Sequence, residues 1–247
     1  MNGEGRHLRP FTIDMKISEL PDRDPRLLGV IRRLGIRFGF GEKTVEEICG
    51  ESGLNPYTLL LICKVYVYDG YEPSKVELSR SSISDIITYL HNSHDYYIHL
   101  ATKTLAEAIS RMTTPCDTKR SRILTRFYEN YREELLKHFD YEENTVFPYV
   151  RELADKGCSS ENYCIDRYEE NHSNVEEKLN DLKNIVMKYL PEECDDELIL
   201  EVLNCLYSLE DDLGKHTVIE DEILIPMVNA EENRFGMGQE AESGKDR

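Results

Sequence analysis

The chain has 247 residues, room for one large domain or two small ones, and its 40% hydrophobic content supports a core rather than wholesale disorder. A formal net charge of -18 repels phosphate backbones, which argues against nucleic acid as the main partner. No apolar run reaches the roughly 18 residues of a membrane span. The start, MNGEGRHLRPFTID, lacks the apolar stretch of a signal peptide, so the expectation is a soluble, cytoplasmic protein. Residues 1–40 hold eight Lys/Arg against five Asp/Glu, so the acidic excess lies in the rest of the chain.

Residues 1–20 read as a loose arm or a short first element. Asp24-Pro25 opens a helix through Arg33, which Gly35 ends. Phe38-Gly39-Phe40-Gly41 is a loop, since alternating glycines break helix and strand alike. Lys43 to Gly50 is a short helix with Thr44 as its cap. Pro56 begins a helix running to about Tyr68. The polar stretch Gly70 to Ser82 contains Pro73 and marks a domain boundary. Four long helices follow: A over about 82–112, B over 118–154 with a disturbance at Pro148, C over 161–190 and D over 195–228. Their lengths and short connections predict an all-α fold, an up-down-up-down four-helix bundle. The expected domains are a small helical amino-terminal domain (1–78), the bundle (79–230) and a disordered tail (231–247).

Seven cysteines, at 49, 63, 116, 158, 164, 194 and 205, form no CxxC pair. An odd, scattered set fits reduced, buried thiols better than a disulfide frame.

Helix B contains HFDYEENTVFP (138–148) and helix D contains HTVIEDEILIP (216–226). Aligned without gaps, they share His at the first place, Glu at the fifth and Pro at the eleventh. Glu143 and Asp221 share an acidic sixth place. A helix turns about 100° per residue, so His and Glu four apart lie on one face, one turn apart. Each pair offers an imidazole nitrogen and a carboxylate to one point. Two such pairs on facing helices could hold two metal ions, with carboxylates bridging and imidazoles terminal. Nitrogen and oxygen donors without thiolate suit iron, and also manganese or zinc. A single pair means little: with 48 acidic residues in 247, a His finds one at a given offset about one time in five. His172 and Glu176 have the same spacing, and such pairs are commonly solvated ion pairs. The duplicated eleven-residue pattern is what lifts the signal.

The other histidines complete the set. Helix A carries His91, His94 and His99, and helix C carries His172. In YLHNSHDYYIHL, Leu90, Tyr97 and Ile98 share an inward face with His94. His91 is a reserve ligand or a partner to one, whereas His99 lies about 140° round the helix and should be exposed.

In this order of motifs the sequence resembles the hemerythrin-like HHE domain. Over residues 25–230 it resembles more closely the di-iron proteins that repair iron-sulfur clusters after oxidative and nitrosative damage. The resemblance implies His94, His138, Glu142, His172, His216 and Glu220 as ligands of two non-haem iron ions, bridged by the two glutamates. Two departures stand out. The repair proteins carry a further His late in helix A, where this chain reads ISRMTTPCD (109–117), so one iron has an open place or His91 fills it. Their amino-terminal domain carries adjacent cysteines near its glycines, where this chain has Phe38-Gly39-Phe40-Gly41.

The leading functional reading is repair of damaged clusters, or iron donation to them, by a binding or repair protein rather than a conventional enzyme. The expected partners are damaged iron-sulfur proteins and a second copy of the chain as a homodimer. No catalytic residue is assigned. The alternative is reversible O2 or NO binding or sensing at the same site. Ferritin-like oxidase chemistry ranks lower, because those bundles use Glu-x-x-His and this chain has His-x-x-x-Glu. Residues 44–68 imitate a helix-turn-helix, but the second helix, PYTLLLICKVYVYD, offers one Lys among apolar residues and reads as core.

Overall fold

Helices make up all the regular structure in the described residues of the computed structural model: 10–116, 119–156, 164, 165, 168, 175–189 and 194–235. One isolated β-bridge, Lys16 to Thr44, is the exception. By contacts the chain forms two units, Met1–Asn92 with Val218–Met227, and Ser93–Thr217 with Val228–Arg247. The division at Asn92 falls inside a helix.

In the first unit, α1 (Leu20–Arg23), α2 (Leu27–Arg33), α3 (Val45–Ser52), α4 (Pro56–Val67) and α5 (Lys75–Arg80) precede the start of α6 (Ile83–Tyr96). Of residues 1–20, the first nine lie outside the described set, and a short element, a 3-10 turn at Ile17–Glu19 leading into α1, forms at the end, with Ile17 and Leu20 fully buried. The starts of α3, α4 and α5 each have a capping side chain. Thr44 accepts from the Glu47 N–H at 3.2 Å while Glu47 accepts from the Thr44 N–H at 2.8 Å, a reciprocal cap. Asn55 caps α4 through the Tyr57 and Thr58 N–H groups, and Pro56 costs nothing at a position whose N–H is unbonded anyway. The stretch 70–82, read from sequence as a connection, contains α5, which Ser74 and Glu77 cap in the same reciprocal way. Gly39 and Gly41 have φ of 94° and 62°, a backbone region that side chains with a Cβ disfavour.

Helix α4 buries Leu59, Leu60, Leu61, Ile62 and Cys63 together, so it is a core helix, as its composition indicates. Each such side chain contributes about 1.5–3 kcal/mol when buried. The guanidinium of Arg33 is 7% exposed and donates to the hydroxyls of Tyr66 at 3.2 Å and Tyr89 at 3.4 Å. Those hydroxyls are 2.8 Å apart, so one polar network ties α2, α4 and α6. Burial pushes the Cys49 thiol up to about 12, with Asp85 adding to it, and burial also raises Cys63. Both thiols stay protonated and unreactive.

In the second unit one hydrophobic core draws on four helical stretches. They contribute Leu105 and Met112, Leu124 and Leu135, Leu179 and Leu182, and Val202 and Leu206. The first stretch continues from α6 through a π turn, Tyr97–Ala101, into α7 (Thr102–Thr113). The second is α8 (Lys119–Tyr141), a π turn Glu142–Val146 and α9 (Phe147–Lys156). The third is α10 (Val175–Tyr189). The fourth is α11 (Asp196–Ile219), which a π turn Glu220–Leu224 continues into α12 (Ile225–Arg234). Buried Glu232 accepts from the Tyr149 hydroxyl and, at 3.0 Å, from the Ile165 N–H. Helix α12 passes the expected start of the tail at 231, and residues 236–247 lie outside the described set. Cys158 also lies outside it.

The disturbance expected at Pro148 takes the form of a π turn just before it. The Phe147 N–H bonds the Glu142 carbonyl five residues back, and Pro148 then has no N–H to offer. Ile225 bonds Glu220 in the same way, and Pro226 follows. The proline at the eleventh place of each repeat therefore sits where the helix stops needing a donor. The turn at Tyr97 has no proline. There the Thr102 N–H bonds Tyr97, and the Thr102 hydroxyl covers the Ile98 carbonyl at 3.0 Å.

Candidate metal centre

Glu142 and Glu220 open their π turns, and Tyr97 opens the third, three residues after His94. Such single-turn bulges recur at functional sites because they re-aim the side chains beside them. His94, on α6, is 2% exposed, and its ring stacks on Phe139 at 4.2 Å and Phe147 at 5.4 Å between centroids. Two aromatic faces thus fix the plane of the imidazole. His216, near the end of α11, meets Tyr97 edge-on at 5.5 Å. Tyr97 is held in turn by donating to the Asp212 carbonyl at 3.1 Å.

The polar atoms converge. His94 Nε2 lies 3.1 Å from His216 Nε2 and 3.1 Å from Glu142 Oε2. His138, 11% exposed, places its Nε2 3.2 Å from Glu142 Oε1. His94, Glu142, His216 and Glu220, all buried, each offer a ligand atom, and these atoms lie within 4.8 Å of one another. His138 is outside that group of four but faces the other oxygen of Glu142. His91 is half-buried and not part of the group, and His99 is exposed, as its position round the helix predicts. His172 lies outside the described residues.

Two residues that sequence reasoning passed over also meet the site. Glu143 Oε1 is 2.7 Å from His94 Nδ1. Its only signal in the sequence is the acidic sixth place shared by the repeats. The Tyr168 hydroxyl donates to Glu142 Oε1 at 2.6 Å, a contact between residues 26 apart that no local pattern announces.

The donor set fits a cation. Two imidazole Nε2 atoms 3.1 Å apart can share one proton at most, and a cation would satisfy the lone pairs of both. Glu142 has no exposed surface, and among the described residues its Oε2 accepts no hydrogen bond. An ionised carboxylate so placed costs several kcal/mol unless positive charge compensates it. The sequence profile of the hemerythrin HHE cation-binding domain matches residues 85–228, more than half the chain. The chain belongs to the hemerythrin HHE family. No individual curated protein matches it. The hemerythrin match spans every residue of the cluster, from His94 to Glu220. Oxygen and nitrogen donors without thiolate are the kind that hold iron, manganese or zinc. Among the described residues no helix is long and apolar enough to cross a membrane.

Proposed function

We propose that this hemerythrin domain is an up-down-up-down four-helix bundle holding two non-haem iron ions. Glu142 and Glu220 would bridge them, with His94, His138, His172 and His216 as terminal ligands. The observation that carries this reading is the setting of Glu142: one oxygen lies 3.1 Å from His94 and the other 3.2 Å from His138. A carboxylate with an imidazole at each oxygen is arranged to serve two ions. Iron bound there would supply Lewis acidity and one-electron chemistry. The chain's residues keep the site dry and fix its ligands, through Phe139 and Phe147 on His94 and through Glu143 on its Nδ1.

The protein acts, in this reading, in the cytoplasm on iron-sulfur proteins damaged by oxidative or nitrosative stress, repairing their clusters or giving them iron. Support comes from the likeness of residues 28–56 to the amino-terminal domain of cluster-repair proteins. The ligand set adds to it, since neutral imidazoles and carboxylates hold iron less firmly than a thiolate cluster site does. Burial keeps the thiols of Cys49 and Cys63 protonated, so these two supply no reactive thiolate. To test this, the reduced, iron-loaded protein is mixed with an NO-damaged cluster enzyme and recovery of that enzyme's activity is followed. His138→Ala and free ferrous ion are the controls. Recovery above both controls is expected. Recovery no better than either, together with a reversible O2 or NO adduct, replaces repair by diatomic binding or sensing.

A further inference from the structure

We propose that Tyr168 is a positioning residue of the metal centre, its phenol turning the Glu142 carboxylate so that one oxygen faces His138 and the other His94. This rests on the reading of Glu142 as a bridging ligand. Tyr168 and Glu142 are 1% and 0% exposed, so their bond is made away from water. At 2.6 Å it is a short hydrogen bond to a carboxylate, of the charge-assisted kind, about twice as strong as a neutral one. Oε1 has two lone-pair directions. The phenol takes one, and His138 Nε2 lies 3.2 Å from the same oxygen. A carboxylate held at Oε1 cannot spin about its terminal bond, so Oε2 stays 3.1 Å from His94 Nε2.

The bond therefore sets the bridging pose before any ion arrives, and that ordering cost is not paid again on binding. Tyr168 stands four residues before His172, the same spacing as His138 to Glu142. The segment that carries an expected ligand thus also carries the group that orients a shared one. A purely structural tyrosine would need only a fixed acceptor, such as the main-chain carbonyl that Tyr97 uses. Tyr168 instead takes an oxygen of a site carboxylate.

The test is Tyr168→Phe, which removes one oxygen and leaves the ring. The control is Tyr131→Phe, whose buried hydroxyl has no hydrogen bond among the described residues and lies in the same unit's core. Each apo-protein is loaded anaerobically with ferrous ion alone, in competition with a chromophoric chelator, and Mössbauer spectra are recorded. Tyr168→Phe is expected to weaken iron binding about 10- to 100-fold and to change the quadrupole doublets, with helical circular dichroism unchanged. Tyr131→Phe should match wild type. If Tyr168→Phe keeps wild-type affinity and spectrum, the positioning role is overturned. A visible phenolate-to-iron(III) band in oxidised wild type, lost in Tyr168→Phe, also overturns it, because the oxygen is then itself a ligand. Should Tyr168→Phe fail to fold, the tyrosine ultraviolet difference spectrum of wild type decides. Iron loading is expected to perturb it equally in wild type and in Tyr131→Phe, and a flat difference spectrum overturns the proposal. If wild type takes up no iron, the bridging-ligand reading itself fails, an outcome distinct from the others.

Discussion

Glu143 offers a sharp perturbation, because its carboxylate meets the site at Nδ1 of His94. His94 Nε2 is 3.1 Å from both His216 Nε2 and Glu142 Oε2, so that nitrogen is the one placed to meet an ion, which leaves Nδ1 for the ring's proton. Nδ1 then donates to Glu143 Oε1 at 2.7 Å, which fixes the tautomer and makes the imidazole a better donor. Losing such a partner typically weakens metal affinity 10- to 100-fold. Two features place Glu143→Ala at the lower end. The Glu143 side chain is 26% exposed, so water can replace part of the bond, and the stacks on Phe139 and Phe147 keep the ring plane in place. The expected loss is about tenfold, or about 1.4 kcal/mol. In Glu143→Gln the amide oxygen still accepts, but as a neutral bond about half as strong, so about threefold is expected. Both follow from chelator competition with ferrous ion, with circular dichroism as the check on folding. Binding by Glu143→Ala within twofold of wild type would refute the role.

Wild type loaded anaerobically should hold close to two irons per chain, and Glu142→Ala and Glu220→Ala should each disturb both ions in Mössbauer spectra, while His99→Ala does little. Elemental analysis near zero with intact helical signal, or normal paired iron in both Glu variants, would show that the repeats are structural. Pro148→Ala restores an N–H, so the π turn at Glu142–Val146 can relax toward α-helix. The thermal midpoint should stay or rise while iron affinity falls, and unchanged affinity in the chelator assay would separate the turn from the site. Glu77 gives the pH dependence. Burial pushes its carboxyl up, but Lys64, Ser74 and Tyr71 together hold it down, to about 2. A carboxyl depressed in the folded state stabilises above its ordinary value of 4.5, and this contribution is lost as pH falls from there through about 2. Glu77→Gln should flatten that part of the acid stability curve, and an unchanged slope in acid denaturation would contradict the assignment.

The parts of the site legible in the sequence are those that local geometry controls. His138 to Glu142 and His216 to Glu220 need only the helical repeat to share a face, and the duplicated pattern supplies the second helix. His94 was separable from His99 because 140° of rotation takes one from core to solvent. The proline at the eleventh place was visible, but as a general helix breaker. Its role in ending a π turn depends on which carbonyl the preceding N–H reaches, and that shift of one residue leaves no trace in composition. Helix α5 was recoverable, since Ser74 and Glu77 carry a cap spacing, yet Pro73 and the polar surroundings outweighed it. Tyr168 was not recoverable, because a tyrosine among polar residues says nothing about a carboxylate 26 positions earlier.

The same buried groups bear on stability. Glu142 and Glu220 are fully buried, and His94 and His216 are 2% exposed beside them. Without a cation, this cluster leaves two buried carboxyl groups and two close imidazole nitrogens in a region of low polarity, an arrangement that opposes folding. The hydrophobic core of the second unit offsets that cost, with Tyr97, Leu124, Leu179, Leu182, Val202 and Leu206 all at 0–1% exposure. An ion that binds only the folded arrangement returns the cost as added stability, in proportion to the logarithm of its concentration over its dissociation constant. Ion binding and folding are then coupled in one equilibrium, in which the aromatic packing on His94 counts beside the ligands themselves.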